Sequence, residues 1–336
     1  MKVKKVLTIV LLISIIISNC SLVFAAPGGG GNSSSSVTHT GATTISSDTN
    51  TSGQTYTSTT GSQSALLVTG GNSTLSNITV TKSGDSDGDN SDFYGTNAGI
   101  LTKKGTLNIN GGNITTNGSH ANAVFAYSDG VINISDATIN TSSNNSGGVM
   151  VTGGGTLTAN NVTATTQGNS SAPIRSDRGG GTLTVNGGEY TSNGVGSPAI
   201  YSTADITVKN ATLTSTKSEG AVVEGKNSIT LNNTILTDTN TSLNGNSETY
   251  KNIFLYQSMS GDADEGVASF TMDGGSITNK NGDIFFVNNT VATIDLTDVD
   301  ITNEDSDGIF LRAEAAGWGS EGSNGGNGTM TASDQE

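Results

Sequence analysis

One short pattern recurs along most of the chain: two apolar residues separated by a polar one, then a third apolar residue five positions after the second. In one copy, Leu107 and Ile109 lead to Ile114. Copies begin at Leu107, Ile132, Leu157, Leu183, Ile206, Ile229, Phe270 and Ile294, and a weaker one contains Leu75 and Val80. From Leu107 to Ile294, neighbouring copies are 23 to 26 residues apart, except for one interval of 41 that holds an insertion around 239–264. Repetition at this period predicts a solenoid.

The residue types within each copy indicate strands joined by a sharp corner. Alternating apolar and polar residues are typical of a β-strand with one buried face. Two residues after the second apolar position, every copy has Gly, Asn or Asp, which best tolerate a left-handed backbone. These nine positions are Asn77, Gly111, Asp136, Asn161, Gly187, Asn210, Asn233, Gly274 and Asp298. We therefore predict a left-handed corner at each of them.

A third apolar segment precedes each pair and is apolar on both faces. One predicted column contains Leu67, Ile100, Phe125, Val149, Ile174, Ile200, Val222, Phe254, Phe285 and Phe310. The column beside it contains Leu101, Ala126, Met150, Arg175, Tyr201, Val223, Leu255, Phe286 and Leu311. A strand of this kind is hidden on both sides. Either insertion loops lie over its outer face, or that face meets a partner.

Three short strands in each coil of about 24 residues predict an all-β fold, a right-handed parallel β-helix. Over residues 65–336 the repeat resembles the pectin-lyase-like β-helix superfamily, in particular its adhesin-like secreted bacterial members. The resemblance implies a secreted or cell-surface protein with a binding or structural role and no catalysis. Because the superfamily also contains polysaccharide-binding proteins and polysaccharide lyases, it implies these as the alternative, and a polysaccharide lyase or glycoside hydrolase if the chain is an enzyme.

The N-terminal part has the features of an exported protein. Residues 1–25 combine three lysines with an apolar stretch and small residues before Ala25, which is typical of a signal peptide. Cys20 offers a second interpretation, in which the chain is lipidated there. Residues 26–36 are a Gly/Ser-rich linker. We expect an irregular capping segment over 37–64 and the β-helix over 65–336.

Charge and cysteine content restrict the partners and the stabilising interactions. The formal net charge is −15, and residues 1–25 contain lysines but no acids, so the remainder is more acidic still. Such a chain repels nucleic acid. Cys20 is the only cysteine, so disulfides cannot stabilise the fold. We expect a host or matrix surface, or a polysaccharide, as the partner.

No residue pattern predicts a catalytic, cofactor or metal site. His39 lies outside the clear repeats, and His120 lies between strands without a recurrent acid in its frame. Arg175, Asp177 and Arg178 form one charged cluster. In the resembling pectate lyases an arginine serves as base beside calcium-bound acids, but here the neighbouring coils place Met150 and Tyr201 beside Arg175. The expected interpretation is a solvated turn with a local ion pair.

Two further features have competing interpretations. Asp85, Asp87, Asp89 and Asp92 alternate oxygen ligands in the manner of a calcium loop, although an acidic surface loop has the same composition. A column of threonines, interrupted only by asparagine, follows the third apolar positions: Thr81, Thr115, Asn140, Thr165, Thr191, Thr214, Thr237, Thr278 and Thr302. Such a column suits an exposed strand face, or a regular hydroxyl array for ice or a crystalline glycan.

The C-terminal residues begin another copy of the pattern. Met330 and Ala332 take its first two apolar positions, and the third falls beyond Glu336. We therefore expect the β-helix to end in mid-coil. An open strand edge and an uncovered core favour end-to-end self-association.

Overall fold

The computed structural model describes residues 37–243, 249–258 and 262–314, and the backbone of 327–333. Together they form a parallel β-solenoid of about 11 turns, with coils of about 25 residues. About 60% of the described residues are in strands and 2% are in a helix. The predicted all-β solenoid is therefore confirmed. Among the described residues, no helix is both long and apolar enough to cross a membrane.

The described part of the chain contains 23 strands and one short helix, α1 (Asp89–Tyr94). The first strands are β1 (Gly41–Ile45), β2 (Asn50–Ser52), β3 (Thr55–Ser58), β4 (Ser64–Val68), β5 (Asn72–Lys82), β6 (Ile100–Thr116), β7 (Val124–Thr141), β8 (Val149–Thr152), β9 (Gly155–Thr166), β10 (Ile174–Ser176), β11 (Gly181–Ser192) and β12 (Ile200–Ser202). The remainder are β13 (Asp205–Lys209), β14 (Thr212–Ser215), β15 (Ala221–Glu224), β16 (Ser228–Asp238), β17 (Lys251–Tyr256), β18 (Val267–Asn279), β19 (Asp283–Asn288), β20 (Val291–Thr297), β21 (Asp300–Asn303), β22 (Leu311–Glu314) and β23 (Asn327–Ser333).

Each coil adds one strand to each of three parallel stacks. In one coil, β8 belongs to an upstream sheet, the first half of β9 to a middle sheet, and the second half of β9 to a downstream sheet. Strand β9 pairs with β11 of the next coil so that Leu157 lies beside Leu183 and Ala164 beside Tyr190. Corresponding positions of the repeat therefore stack on one another, and their apolar side chains form one continuous core.

All nine predicted corner residues adopt a left-handed backbone. Their φ angles lie between 46° at Asn233 and 72° at Gly111. Side chains also stack between coils, since Asn161 Nδ2 donates to Asp136 Oδ1 at 2.7 Å and Asn233 Nδ2 donates to Asn210 Oδ1 at 2.9 Å. The corner prediction is confirmed, and it explains why only Gly, Asn and Asp occupy these positions.

The solenoid begins one coil earlier than the sequence analysis expected. Strands β1, β2 and β3 pair in parallel with β4 and β5, so that Thr51 lies beside Leu75 and Tyr56 beside Val80. Residues 37–64 therefore include a regular coil, and the expectation of an irregular segment there is corrected. The inward position taken by Leu75 in the next coil is held by Thr51, a polar residue, so this coil does not show the apolar pattern.

The upstream sheet departs from the predicted columns. Strand pairing places Leu101 beside Phe125, and Phe125 beside Met150, whereas Ile100 lies beside Val124. The outer column is Leu67, Leu101, Phe125, Met150, Arg175, Tyr201, Val222, Phe254, Phe286 and Arg312. The predicted columns mixed inward and outward residues. When both faces of a strand are apolar, the sequence does not show which residues point inwards and which point outwards.

Several predictions concern residues outside the described ranges. These are the signal peptide of residues 1–25, lipidation at Cys20, the linker of residues 26–36, and the chain beyond Ser333. The backbone of β23 pairs with β20, placing Met330 beside Ile294 and Ala332 beside Leu296. These two residues therefore take the predicted first two positions of a further coil.

Candidate functional site

The outer face of the upstream sheet is where the solenoid departs from simple repetition. Its N-terminal part carries a buried apolar cluster of Leu67, Ala98, Leu101, Phe125 and Met150, with Tyr127 packed against it. Residues 83–99, which contain α1, lie over this cluster. Gly95, which ends α1 at a φ of 69°, approaches Phe125 and Leu101 so closely that a Cβ there would lie 2.9–3.0 Å from their side chains. We predicted that either insertion loops or a partner would cover this face, and here an insertion covers it.

Polar and aromatic contacts fix the first insertion to the solenoid. Thr152 Oγ1 donates to the Phe93 carbonyl at 2.7 Å, and His39 Nε2 lies 2.8 Å from the Tyr94 carbonyl. The Tyr94 and Tyr127 rings meet edge to face, with centroids 5.7 Å apart. Burial lowers the pKa of the His39 imidazole. His39 therefore packs beneath the insertion.

A second cluster lies on the same face, nearer the C-terminus. Val222, Phe254, Tyr256 and Phe286 are buried, and Tyr201 packs against them. The carboxylate of Glu224 lies among the aromatic rings and accepts hydrogen bonds from the hydroxyls of Tyr201 and Ser258, and from Tyr256 at 2.9 Å. Burial raises the pKa of both tyrosines, and the nearby carboxylate adds to the effect. Both phenols therefore stay protonated and donate.

A groove lies on this face between the two clusters. One cavity of about 180 Å³ is lined by Ser170, Ala172, Arg175, Gly196, Pro198 and Tyr201. An adjoining cavity of about 60 Å³ is lined by Gly196, Pro198, Tyr201, Glu219, Val222, Phe254 and Tyr256. Because both share Tyr201 and the small residues opposite it, we call them together the Tyr201 groove. A more polar cavity of about 420 Å³ is lined by Gly179–Gly181, Thr203–Asp205, Lys226, Asn227 and Asp262–Asp264.

Arg175 contributes the guanidinium of the groove. Its neighbours in the outer column are Met150 and Tyr201, as predicted. Its Nη2 and Nε donate to Asp177 Oδ2 at 2.7 and 3.2 Å, and Nη1 donates to the Ser170 carbonyl at 3.0 Å. The predicted ion pair is present, but it is not solvated, since the Asp177 side chain is only 3% exposed. Burial raises the pKa of Asp177 to about 6, although Arg175 acts in the opposite direction.

Arg178 joins the two insertions. Its Nη1 lies 3.1 Å from Asp89 Oδ2 in the first insertion, and its Nε donates to Asp262 in the second. The guanidinium carbon lies 3.9 Å from the centroid of the Phe93 ring, within the range of a cation–π interaction. We call this set of contacts the Arg178 clasp. Sequence analysis could not find it, because its partners lie 84 and 89 residues away in non-repeating segments.

The acidic run of the first insertion is divided among different partners. Asp85 Oδ1 accepts the Ser119 amide at 2.8 Å, Asp89 pairs with Arg178, and Asp92 lies 2.7 Å from His120 Nδ1. Asp92 is therefore an acidic partner of His120. The spacing of the repeat did not predict this contact, because Asp92 lies in the insertion. Within the described ranges, no group of three or more His, Cys, Asp or Glu residues is arranged to hold a metal ion. The calcium interpretation of Asp85, Asp87, Asp89 and Asp92 stays a prediction.

The predicted threonine column occurs in the downstream sheet. Residues of this column lie beside each other in neighbouring coils: Thr81 lies beside Thr115, Thr165 beside Thr191, and Thr278 beside Thr302. The outward column two residues earlier is mixed, since Glu189 lies beside Thr212 and Thr212 beside Ile235. These interruptions disfavour a uniform hydroxyl array. The Tyr201 groove is therefore the better candidate for recognition.

Comparison with known proteins does not assign a function to this chain, so the proposal below is based on its structure. The sequence matches no protein-family model, no curated protein and no solved structure at a significant level.

Proposed function

We propose that this chain is an adhesin-like binding protein, exported and either secreted or held at the cell surface, without a catalytic role. The observation that carries the proposal is the Tyr201 groove. The groove is a concave surface on the outer face of the upstream sheet. Both aromatic and polar side chains line it. Ligand sites commonly combine these features.

The charges near the groove favour binding over proton transfer. Arg175 is engaged with Asp177, and the Glu224 carboxylate accepts three hydroxyl groups. A general base needs an accessible lone pair within reach of its substrate. The resemblance of the repeat to secreted adhesin-like β-helices supports the same conclusion. The acidic net charge of −15 disfavours nucleic acid and leaves a host or matrix surface as the proposed partner.

Binding of the purified protein to intact host cells and to extracellular matrix tests the proposal. We expect Tyr201→Ala to reduce binding at least several-fold, because it removes a wall shared by both cavities. Thr163→Ala, on the outer face of the downstream sheet, is the matched control and should bind normally. Equal binding by wild type and Tyr201→Ala would exclude the groove as the site. Lack of binding by wild type to either surface would contradict the adhesin role.

The second candidate is a polysaccharide-binding or polysaccharide-lyase β-helix. It is favoured by the presence of the Arg175 guanidinium and the Tyr201 phenol in one cavity. Incubation with polygalacturonate and calcium, using wild type and Arg175→Ala, separates the alternatives. Arginine-dependent cleavage would establish a lyase and overturn the leading proposal. Retention of the polymer without cleavage would indicate a polysaccharide-binding protein.

A further inference from the structure

Three ionisable side chains are buried near the ends of the segment that connects β16 to β17. Asp238 ends β16, Lys251 begins β17, and Glu219 precedes β15. Their residues are 0%, 1% and 8% exposed, respectively. Lys251 Nζ lies 3.4 Å from Glu219 Oε1. An amine and a carboxyl group are thus held in contact within the protein.

Little water reaches this pair, since the side chains of Lys251 and Glu219 are 2% and 11% exposed. Lys251 Nζ lies 4.6 Å from the centroid of the Phe254 ring and 5.5 Å from that of Phe286. It also donates to the Thr249 carbonyl at 3.0 Å, while the Ser218 hydroxyl donates to Glu219 Oε2. Two opposite charges removed from water in this way lose much of their hydration energy. Burial therefore favours any reaction that removes both charges.

A second acid lies close to the pair. Asp238 Oδ1 accepts the Asn240 amide at 2.8 Å, and Asn240 Nδ2 donates to the Lys251 carbonyl at 2.7 Å. Burial raises the pKa of Asp238 well above its ordinary value, and the Glu219 carboxylate adds to this effect. Burial therefore favours the protonated form of the Asp238 carboxyl group. It can donate a proton and later take one back.

We propose that Lys251 and Glu219 form an intramolecular amide cross-link. Lys251 passes one proton to the Glu219 carboxylate, and the neutral Nζ then attacks Cδ. A C–N bond forms and one C–O bond breaks. The departing oxygen takes a proton from Asp238 and leaves as water, and Asp238 recovers a proton from the nitrogen. The products are one amide and one water, with Asp238 unchanged, so no oxidant or cofactor is required.

The fixed contact of the two groups supplies the proximity that such a condensation requires. The link would connect Lys251, at the start of β17, to Glu219, which precedes β15 in the preceding coil. The link goes beyond the proposed binding role, although Glu219 also lines the Tyr201 groove. Since Cys20 is the only cysteine, no disulfide could serve this purpose.

Mass spectrometry of a tryptic digest of the folded protein tests the proposal. Cleavage after Lys217, Lys226 and Lys280 should release residues 218–226 joined to residues 227–280, at the sum of the two masses less one water. Cleavage after Lys251 should be blocked. Lys226, whose exposed ammonium lies 2.8 Å from Asp264, is the internal control and should be cleaved normally.

The variant Lys251→Arg keeps the positive charge and the cleavage site but cannot condense in this way. It should release residues 218–226 and 227–251 as separate peptides at full mass. Separate full-mass peptides from the wild type would show an ion pair only and overturn the proposal. A link that persists in Lys251→Arg would place the nucleophile elsewhere and also overturn it. The wild-type digest decides the matter even if the variant folds poorly.

Discussion

The corner residues have a backbone conformation that few side chains tolerate. Asn161, Asn210 and Asn233 have φ angles of 51°, 54° and 46°. For residues other than Gly, Asn and Asp, this conformation costs about 1–2 kcal/mol each. The side-chain ladder between neighbouring corners adds hydrogen bonds that a β-branched residue cannot make.

Replacing all three asparagines with valine should therefore lower the free energy of unfolding by several kcal/mol, at about 1–2 kcal/mol or more for each site. Chemical denaturation measures the change. The matched control replaces the same residues with glycine, which keeps the left-handed backbone and should cost much less. Equal stability of the valine variant and the wild type would contradict the assigned corners.

Lys82 is a second residue with a distinctive environment. It points inwards beside the downstream corner, is fully buried, and donates to the carbonyls of Thr60 at 3.0 Å and Gly84 at 2.6 Å. Burial lowers the pKa of its ammonium group to about 8. Between about 8 and the ordinary value of 10.5, the unfolded chain holds this proton more tightly than the folded chain does. Stability should rise with pH wherever the unfolded state binds more protons.

The free energy of unfolding of wild type relative to Lys82→Met should therefore increase as pH rises from about 8 to about 10.5. Denaturation of both proteins across this range measures the difference, which removes the titration of groups common to both. Lys104→Met, at an exposed position, is the matched control for the loss of one lysine. A difference that stays constant or decreases with pH would show that the Lys82 pKa is not lowered.

Among the larger elements, the two insertions are joined to each other as well as to the solenoid. The Arg178 clasp contacts Asp89 in one and Asp262 in the other. The Arg178 side chain is 39% exposed, so these ion pairs should contribute little to global stability. Their effect should be local.

Arg178→Gln should increase amide hydrogen exchange in both insertions while leaving the melting temperature nearly unchanged. Lys226→Gln is the matched control, because it removes an exposed pair with Asp264 and leaves the first insertion untouched. We expect faster exchange only in the second insertion for that variant. Unchanged exchange around Asp89 in Arg178→Gln would show that the clasp does not hold the first insertion.

The elements that sequence analysis could predict are those that repeat. The positions of Leu157, Asn161 and Ala164 carry residues of the same type in each of the eight clear copies, which makes the pattern visible. The coil of β1–β3 was missed because Thr51 replaces an apolar residue at a core position. The insertions have no second copy, so the contacts of Arg178 and Glu224 could not be inferred. The cluster at Arg175 was recognised, but its burial depends on those insertions.

For the whole molecule, exposed apolar side chains lie near the last described coils, where we predict self-association. Ile309 and Phe310 are 43% and 42% exposed, and the Phe310 ring packs against Phe285 with centroids 5.6 Å apart. Such residues favour association when they lie together on a surface. The end-to-end association expected from the repeat is consistent with this position but is a prediction.

Light scattering at increasing concentrations should show a rise in mass for the wild type, and Phe310→Ser should reduce that rise. Val267→Ser, at an apolar residue of similar exposure on β18, is the control. A wild type that remains monomeric at high concentration would contradict the expectation.

The Arg178 clasp has a mechanical consequence. A coil in a solenoid is hydrogen-bonded only to its immediate neighbours, so tension along the axis would peel coils from one end in succession. Arg178 connects Asp89 with Asp262, two residues that belong to coils several turns apart. Pulling on the chain would therefore strain this bridge together with the hydrogen bonds beneath it. The coils between the two insertions, which carry the Tyr201 groove, should therefore separate less readily while the bridge holds.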